Sequence, residues 1–132
     1  MNSPDCIFCK IIAKEIPATT IYEDENFFVF LDINPVRKGH LLLIPKSHYT
    51  WMQDVPDELL ANIFIVAKKI MIAMKKSLSD DYVQVSVEGK DIPHFHIHLM
   101  PRNLDDGLHG WATSTYQENE APEIADTIKN AL

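Results

Sequence analysis

The seven residues His94-Phe95-His96-Ile97-His98-Leu99-Met100 constrain this chain more than any other stretch. Side chains alternate faces along a strand. As a strand, His94, His96 and His98 share one face, and Phe95, Ile97 and Leu99 share the other. The apolar face can then rest on a core while the imidazoles point into a site. On a helix the same histidines would spread over about 200° of arc, at roughly 100° per residue. A strand is the conformation that concentrates them. Imidazoles titrate near neutrality and repel when protonated, so crowding them carries a cost.

The 132 residues suit one domain. With 46% hydrophobic residues, 23% charged and 4 glycines, the chain can bury a core and does not read as disordered. A formal net charge of -7 is the wrong sign for a nucleic-acid or anionic-membrane surface. Local donors still permit a small anionic ligand. No apolar run approaches the roughly 20 residues of a membrane span, and no signal-peptide pattern opens the chain. The expectation is a cytoplasmic protein with no membrane and no nucleic-acid partner. Cys6 and Cys9 are too few and too close for a secreted disulfide framework.

Apolar spacing predicts a short helix over residues 6–13, ended at Ile16-Pro17. Residues 20–23 and 27–33 read as paired strands around an Asp24-Glu25-Asn26 turn. Residues 40–45 are nearly all aliphatic, which predicts a strand covered on both faces or central in the sheet. A polar connection over 46–54 carries His48. The one long helix starts near Pro56, with Asp57 and Glu58 at its positive end and Lys75 and Lys76 at its negative end. Leu59, Ile63, Val66, Ile70 and Met74 make its apolar stripe. Residues 82–87 alternate as a strand, 88–93 connect to the histidine strand, 102–110 read as loop and 123–132 as a terminal helix. This order predicts an α+β domain with a mainly antiparallel sheet.

Other motifs lie in order around the histidine strand. They are Cys6-Ile7-Phe8-Cys9-Lys10-Ile11-Ile12, Ile16-Pro17-Ala18, Phe30-Leu31-Asp32-Ile33-Asn34-Pro35, Gly39-His40, Ile44-Pro45-Lys46-Ser47-His48 and His98-Leu99-Met100-Pro101-Arg102. In these motifs the chain resembles the histidine triad (HIT) family, in the zinc-carrying microbial form of its Hint-like branch. The resemblance covers about residues 4–102, with a weaker echo at Asp106-Gly107 and Trp111. It implies a single HIT domain over 1–132, with a five-stranded sheet, a short N-terminal helix, one long helix and a C-terminal helical tail from 103 onward.

The resemblance also implies chemistry. His96 would be the nucleophile toward the α-phosphorus of a purine nucleotide conjugate, giving a nucleotidyl-histidine that water hydrolyses to a nucleoside monophosphate. Neutral imidazole is a competent nucleophile near pH 7. His98 would hydrogen-bond the phosphoryl oxygens and His40 would hold the phosphate side of the pocket. Ile7, Phe8, Phe30 and Ile33 would line the base pocket, and Asp32 would accept from the ribose hydroxyls. By residue type alone the four apolar residues read as core and Asp32 as a turn carboxylate. Cys6, Cys9, His48 and His94 would bind one structural zinc; taken alone, the C-x₂-C pair is also compatible with two inert thiols. A homodimer through the long helix and a sheet edge is implied.

The chain departs from the family pattern at Val87-Glu88-Gly89-Lys90-Asp91-Ile92-Pro93. This loop is shorter than usual, Val87 replaces an Asn, and Lys90 and Asp91 take the places of Gln and Ser. A carboxylate there would repel phosphate, which Lys90 could offset, or it could face an amine leaving group. Three other functions fit the residues: a nucleotide- or partner-binding protein with little catalysis, a dinucleoside polyphosphate hydrolase, and a catalytic metal site made from the three strand histidines.

Overall fold

The computed structural model describes residues 3–108 and 111–132, so the end of the predicted 102–110 loop lies outside the described residues. Its elements are helix α1 (Ile7–Ile12), strands β1 (Thr20–Glu23), β2 (Phe27–Leu31) and β3 (Leu41–Pro45), the long helix α2 (Asp57–Ser77), strands β4 (Tyr82–Val87) and β5 (Ile97–Arg102), and helix α3 (Glu120–Lys129). The strands form one antiparallel sheet in the order β1-β2-β3-β5-β4. Among the described residues no helix is long and apolar enough to cross a membrane.

The central strands β2 and β3 are buried along their whole length because both faces are covered. Phe27, Val29, Leu31, Leu41, Leu43, Ile97 and Leu99 face α2 and α3, where Ile63, Ile70, Met74 and Ile128 complete the larger core. Burial of each such side chain contributes about 1.5–3 kcal/mol. Phe28, Phe30, Leu42 and Ile44 face the other way, against Cys6, Phe8, Cys9 and Ile11 of the α1 region. Residues paired in register share a face. His98 pairs with Leu42, so the histidine face is the face that α1 covers. Phe95, Ile97 and Leu99 lie in the larger core, as the alternation predicts.

Several boundaries differ from expectation for identifiable reasons. The last strand begins at Ile97, so only His98 of the three histidines lies in it. Before Ile97 the ladder runs out against Pro45, which has no N–H to offer. There the Pro45 carbonyl is taken by the His94 side chain at 2.9 Å, and the Phe95 N–H donates to Tyr49 O at 2.6 Å. β2 ends at Leu31, not Ile33, because Asp32 turns the chain: its Oδ1 accepts the Asn34 N–H at 2.9 Å. One 3-10 turn, Met52–Asp54, interrupts the predicted polar connection. α3 starts at Glu120, three residues early, with Pro122 tolerated in its first turn. In α2, Leu59 and Val66 are only half-buried, and Ala67 and Ala73 join the buried face instead.

Candidate active site

A cleft of about 530 Å³ opens beside α1, within the size range of small-molecule sites. Ile7, Phe8, Phe30, Asp32, Ile33 and Lys90 all line it, together with His96 and His98. Phe8 and Phe30 are buried and stack edge to face, with ring centroids 5.6 Å apart. Ile7 and Ile33 are not core, being 44% and 75% exposed at the cleft. Asp32 is a turn carboxylate that also borders the cleft. Its Oδ1 closes the turn onto Asn34, while the carboxylate lines the cleft. Burial raises its pKa, opposed by the Asn34 N–H and by His96.

The hydrogen bonds assign a proton to each imidazole. His96 Nδ1 lies 2.7 Å from the main-chain oxygen of His94. A carbonyl only accepts, so Nδ1 carries the proton and Nε2 keeps its lone pair. His40 Nδ1 accepts the Val36 N–H at 3.0 Å, so its proton is on Nε2. That Nε2 donates to His98 Nδ1 at 2.9 Å, which leaves the His98 proton on Nε2. The two cleft histidines therefore hold opposite tautomers, His96 offering a base and His98 a donor. His40 is fully buried and does not line the cleft; its effect on any ligand passes through His98. Gly39 delivers it with φ of +98°, where a Cβ would stand 3.1 Å from the Leu78 side chain.

Burial keeps these rings neutral. It lowers His40 to about 4, with His96 adding, and His98 to about 3, with His96 and His40 adding. His96 is also lowered by burial, opposed by its bond to the His94 carbonyl and by Asp32, Glu88 and Asp91. Asp32 Oδ2 lies 3.7 Å from His40 Nε2. Asp32, His40 and His98 are close enough to face one cation, yet the His40–His98 pair already shares a proton.

The third histidine faces elsewhere, so the three imidazoles do not form one metal site. His94 Nδ1 lies 3.3 Å from Cys6 Sγ and 3.6 Å from Cys9 Sγ, and His48 Nδ1 lies 3.4 Å from Cys9 Sγ. Tetrahedral zinc with ordinary Zn–S and Zn–N bonds has S···N edges of about 3.6 Å. Cys6, Cys9, His48 and His94 thus fit such an ion by donor type, number and spacing. The outer contacts fit as well. His94 Nε2 donates to the Pro45 carbonyl, which leaves Nδ1 as the ligand atom, and the Ser3 N–H donates to Cys9 Sγ at 3.5 Å. Burial pushes the Cys9 thiol up, and Cys6 adds to this; a bound cation reverses that balance.

Sequence reasoning assigned no role to three further features of the cleft. The Trp111 ring stands 4.8 Å from His98 and 6.1 Å from His40, edge-on to both, and lines the cleft with Thr113. The tail is held there by Ser114 N–H to Pro35 O at 2.9 Å and by the Lys38–Glu120 ion pair at 2.7 Å. Gly89, at φ of +147°, lets the short loop pack on Trp51, whose ring would lie 3.1 Å from an added Cβ. Of the three, only Trp111 carries a sequence signal, the weaker echo of the family pattern; the contacts themselves join residues remote in sequence.

Comparison with known proteins places these features in company. The HIT domain family model matches residues 13–105, which include the three strand histidines, His40 and His48 but not the cysteine pair. The chain is 46% identical over 106 residues to an uncharacterised HIT-like protein of Methanocaldococcus jannaschii, covering 77% of this chain and 82% of the relative. It is 42% identical over 133 residues to an adenosine 5'-monophosphoramidase of Saccharomyces cerevisiae, covering 96% and 80%. A zinc-bound histidine triad family protein of Mycobacterium smegmatis superposes with a TM-score of 0.86 at 34% identity, covering 98% of this chain and 94% of that one.

Proposed function

This chain belongs to the HIT domain family, and on that footing we propose that it is a nucleotide hydrolase or transferase whose His96 attacks the α-phosphorus of a purine nucleotide conjugate. One observation carries the reading: the 2.7 Å hydrogen bond from His96 Nδ1 to the His94 carbonyl, which leaves Nε2 of a cleft-lining ring as a free base. Attack by Nε2 forms an N–P bond and breaks the bond to the leaving group, which departs with its electron pair and takes up a proton. Water then attacks phosphorus and gives up a proton, the N–P bond breaks with its electron pair returning to His96 Nε2, and the nucleoside monophosphate leaves. Splitting the displacement this way replaces one hard step with two easier ones. His98 Nε2–H donates to the phosphoryl oxygens as they gain charge. His40 holds His98 in the donating tautomer.

Phe8, Phe30, Ile7 and Ile33 hold the base, the Asp32 carboxylate accepts from the ribose hydroxyls, and Lys90 pairs with the phosphate. Glu88 and Asp91 also line the cleft. Their charges disfavour a polyphosphate leaving group and favour an amine, which argues for a phosphoramidate substrate over a dinucleoside polyphosphate. The yeast relative named as a monophosphoramidase supports the same choice. Cys6, Cys9, His48 and His94 would hold one zinc, which with four protein ligands and no open position supplies a structural cross-link.

A homodimer would cover an apolar groove on the side of the molecule formed by α2 and β4. Phe64, Met71 and Ile72 of α2 and Val85 of β4 line an open groove of about 500 Å³, and β4 is an edge strand. Unpaired edges and apolar faces of this kind invite pairing with a second copy.

The deciding experiment follows AMP release from adenosine phosphoramidate by the wild type and by His96→Ala. The expected loss is about a thousandfold or more. Equal rates remove the catalytic assignment. Calorimetric binding of AMP with no turnover of any conjugate leaves a nucleotide-binding protein.

A further inference from the structure

Helix α1 serves two sites at once. Cys6, its cap, and Cys9 point to the four-residue cluster, while Ile7, Phe8 and Ile11 line the cleft. The Phe8 ring stands edge-on to two imidazoles, 5.8 Å from His94 and 5.2 Å from His96. His94 is shared in the same way. Its side chain lies among the cysteines, and its main-chain oxygen holds His96 Nδ1 at 2.7 Å. Six residues of helix are too few to persist unaided in water. At the start of α1, Cys6 Sγ accepts the Cys9 N–H at 3.4 Å, so the Cys6 thiol also organises the first turn. Whatever fixes the four ligands therefore fixes a wall of the cleft and the carbonyl that sets the tautomer of the nucleophile.

We propose that the Cys6, Cys9, His48 and His94 cluster positions the nucleophile and the α1 wall, so that metal occupancy in the cluster and nucleotide binding in the cleft are thermodynamically linked. The proposal rests on the nucleotide reading of the cleft. Cys6, Cys9 and His48 are positioning residues, acting through His94 and Phe8. His48 is the informative member: it lies outside α1 and outside the strand, and it does not line the cleft. Linkage is reciprocal, so AMP must tighten zinc binding by the factor by which zinc tightens AMP binding.

The test uses the full chain. Zinc affinity is measured by chelator competition with and without saturating AMP, and AMP affinity by calorimetry on zinc-loaded and zinc-stripped protein. The expected change is about tenfold, equal in both directions. Cobalt(II)-loaded protein supplies a spectroscopic readout, which also stands alone should the stripped chain unfold. Its ligand-field bands are expected to shift on titration with AMP, saturating at the calorimetric affinity; a metal with no link to the cleft leaves them in place. His48→Gln is expected to weaken AMP binding along with zinc binding. Equal AMP affinities in all metal states, or unshifted cobalt bands at saturating AMP, overturn the linkage. So does a wild-type chain that binds neither zinc nor cobalt. Absence of AMP binding by every form overturns instead the nucleotide reading beneath it.

Discussion

Replacing His40 with leucine tests the proton assignments most directly. The change removes two hydrogen bonds, from the Val36 N–H at 3.0 Å and to His98 Nδ1 at 2.9 Å. Both orphaned groups are buried, since Val36 is 7% and His98 7% exposed. A buried polar group without a partner costs about 1–3 kcal/mol, so the two together cost about 2–6 kcal/mol. Leucine offers more apolar surface than imidazole at the same site and returns about 1–2 kcal/mol. The two ranges subtract to about 0–5 kcal/mol, centred near 2–3 kcal/mol, in urea denaturation at pH 7, against a typical total of about 5–15 kcal/mol. The cycle with His98→Leu sharpens this. Once His98 is gone, its Nδ1 no longer needs a donor, so the double variant is expected to be more stable than the sum of the single losses by about 1 kcal/mol or more. Additivity within about 0.3–0.5 kcal/mol would mean that the two rings share no hydrogen bond.

The same relay gives a pH dependence. His40 and His98 titrate below the ordinary histidine value, at about 4 and about 3, so between those values and about 6.5 the unfolded chain binds the extra protons. Their contribution is fully present above about pH 6.5 and is lost as pH falls toward the folded values; His40→Leu is expected to flatten the slope of stability between pH 6 and 5 by up to about 1.4 kcal/mol per pH unit. Protein purified without a histidine tag is expected to carry one zinc per chain by elemental analysis, and Cys6→Ser to lose it; a Cys6→Ser protein that retains all its zinc removes Cys6 from the ligand set. Phe64→Glu, which places a charge in the groove between α2 and β4, is expected to convert a dimer to a monomer in sedimentation, and an unchanged assembly state would locate the contact elsewhere.

The placement of the three histidines was only partly legible in the sequence. Their alternation correctly put Phe95, Ile97 and Leu99 in the core and the imidazoles on the opposite face. The strand itself starts later than the alternation suggests, because pairing stops at Pro45 and side-chain and loop contacts take over. Spacing also placed the long helix and the covered strand β3, since burial on one stripe or on both faces leaves a direct mark on residue type. The role of His40 could not be read this way. The family resemblance implies a residue on the phosphate side of the pocket, whereas the fold buries it completely, hydrogen-bonded to His98.

The sequence by itself therefore determined which residue types face which way, because strand and helix periods are local and each residue carries its own transfer free energy. It determined as well that imidazoles, two thiols and a carboxylate were available in family-like order. Only the tertiary structure decided which proton each imidazole holds. A tautomer depends on whether the neighbouring atom donates or accepts, and those neighbours are the His94 carbonyl, the Val36 N–H and His40 Nε2. Only the fold, too, brought Trp111 from the tail against His98 and His94 between the cysteines and His96. Such contacts join residues far apart in the chain, and no period or composition encodes them.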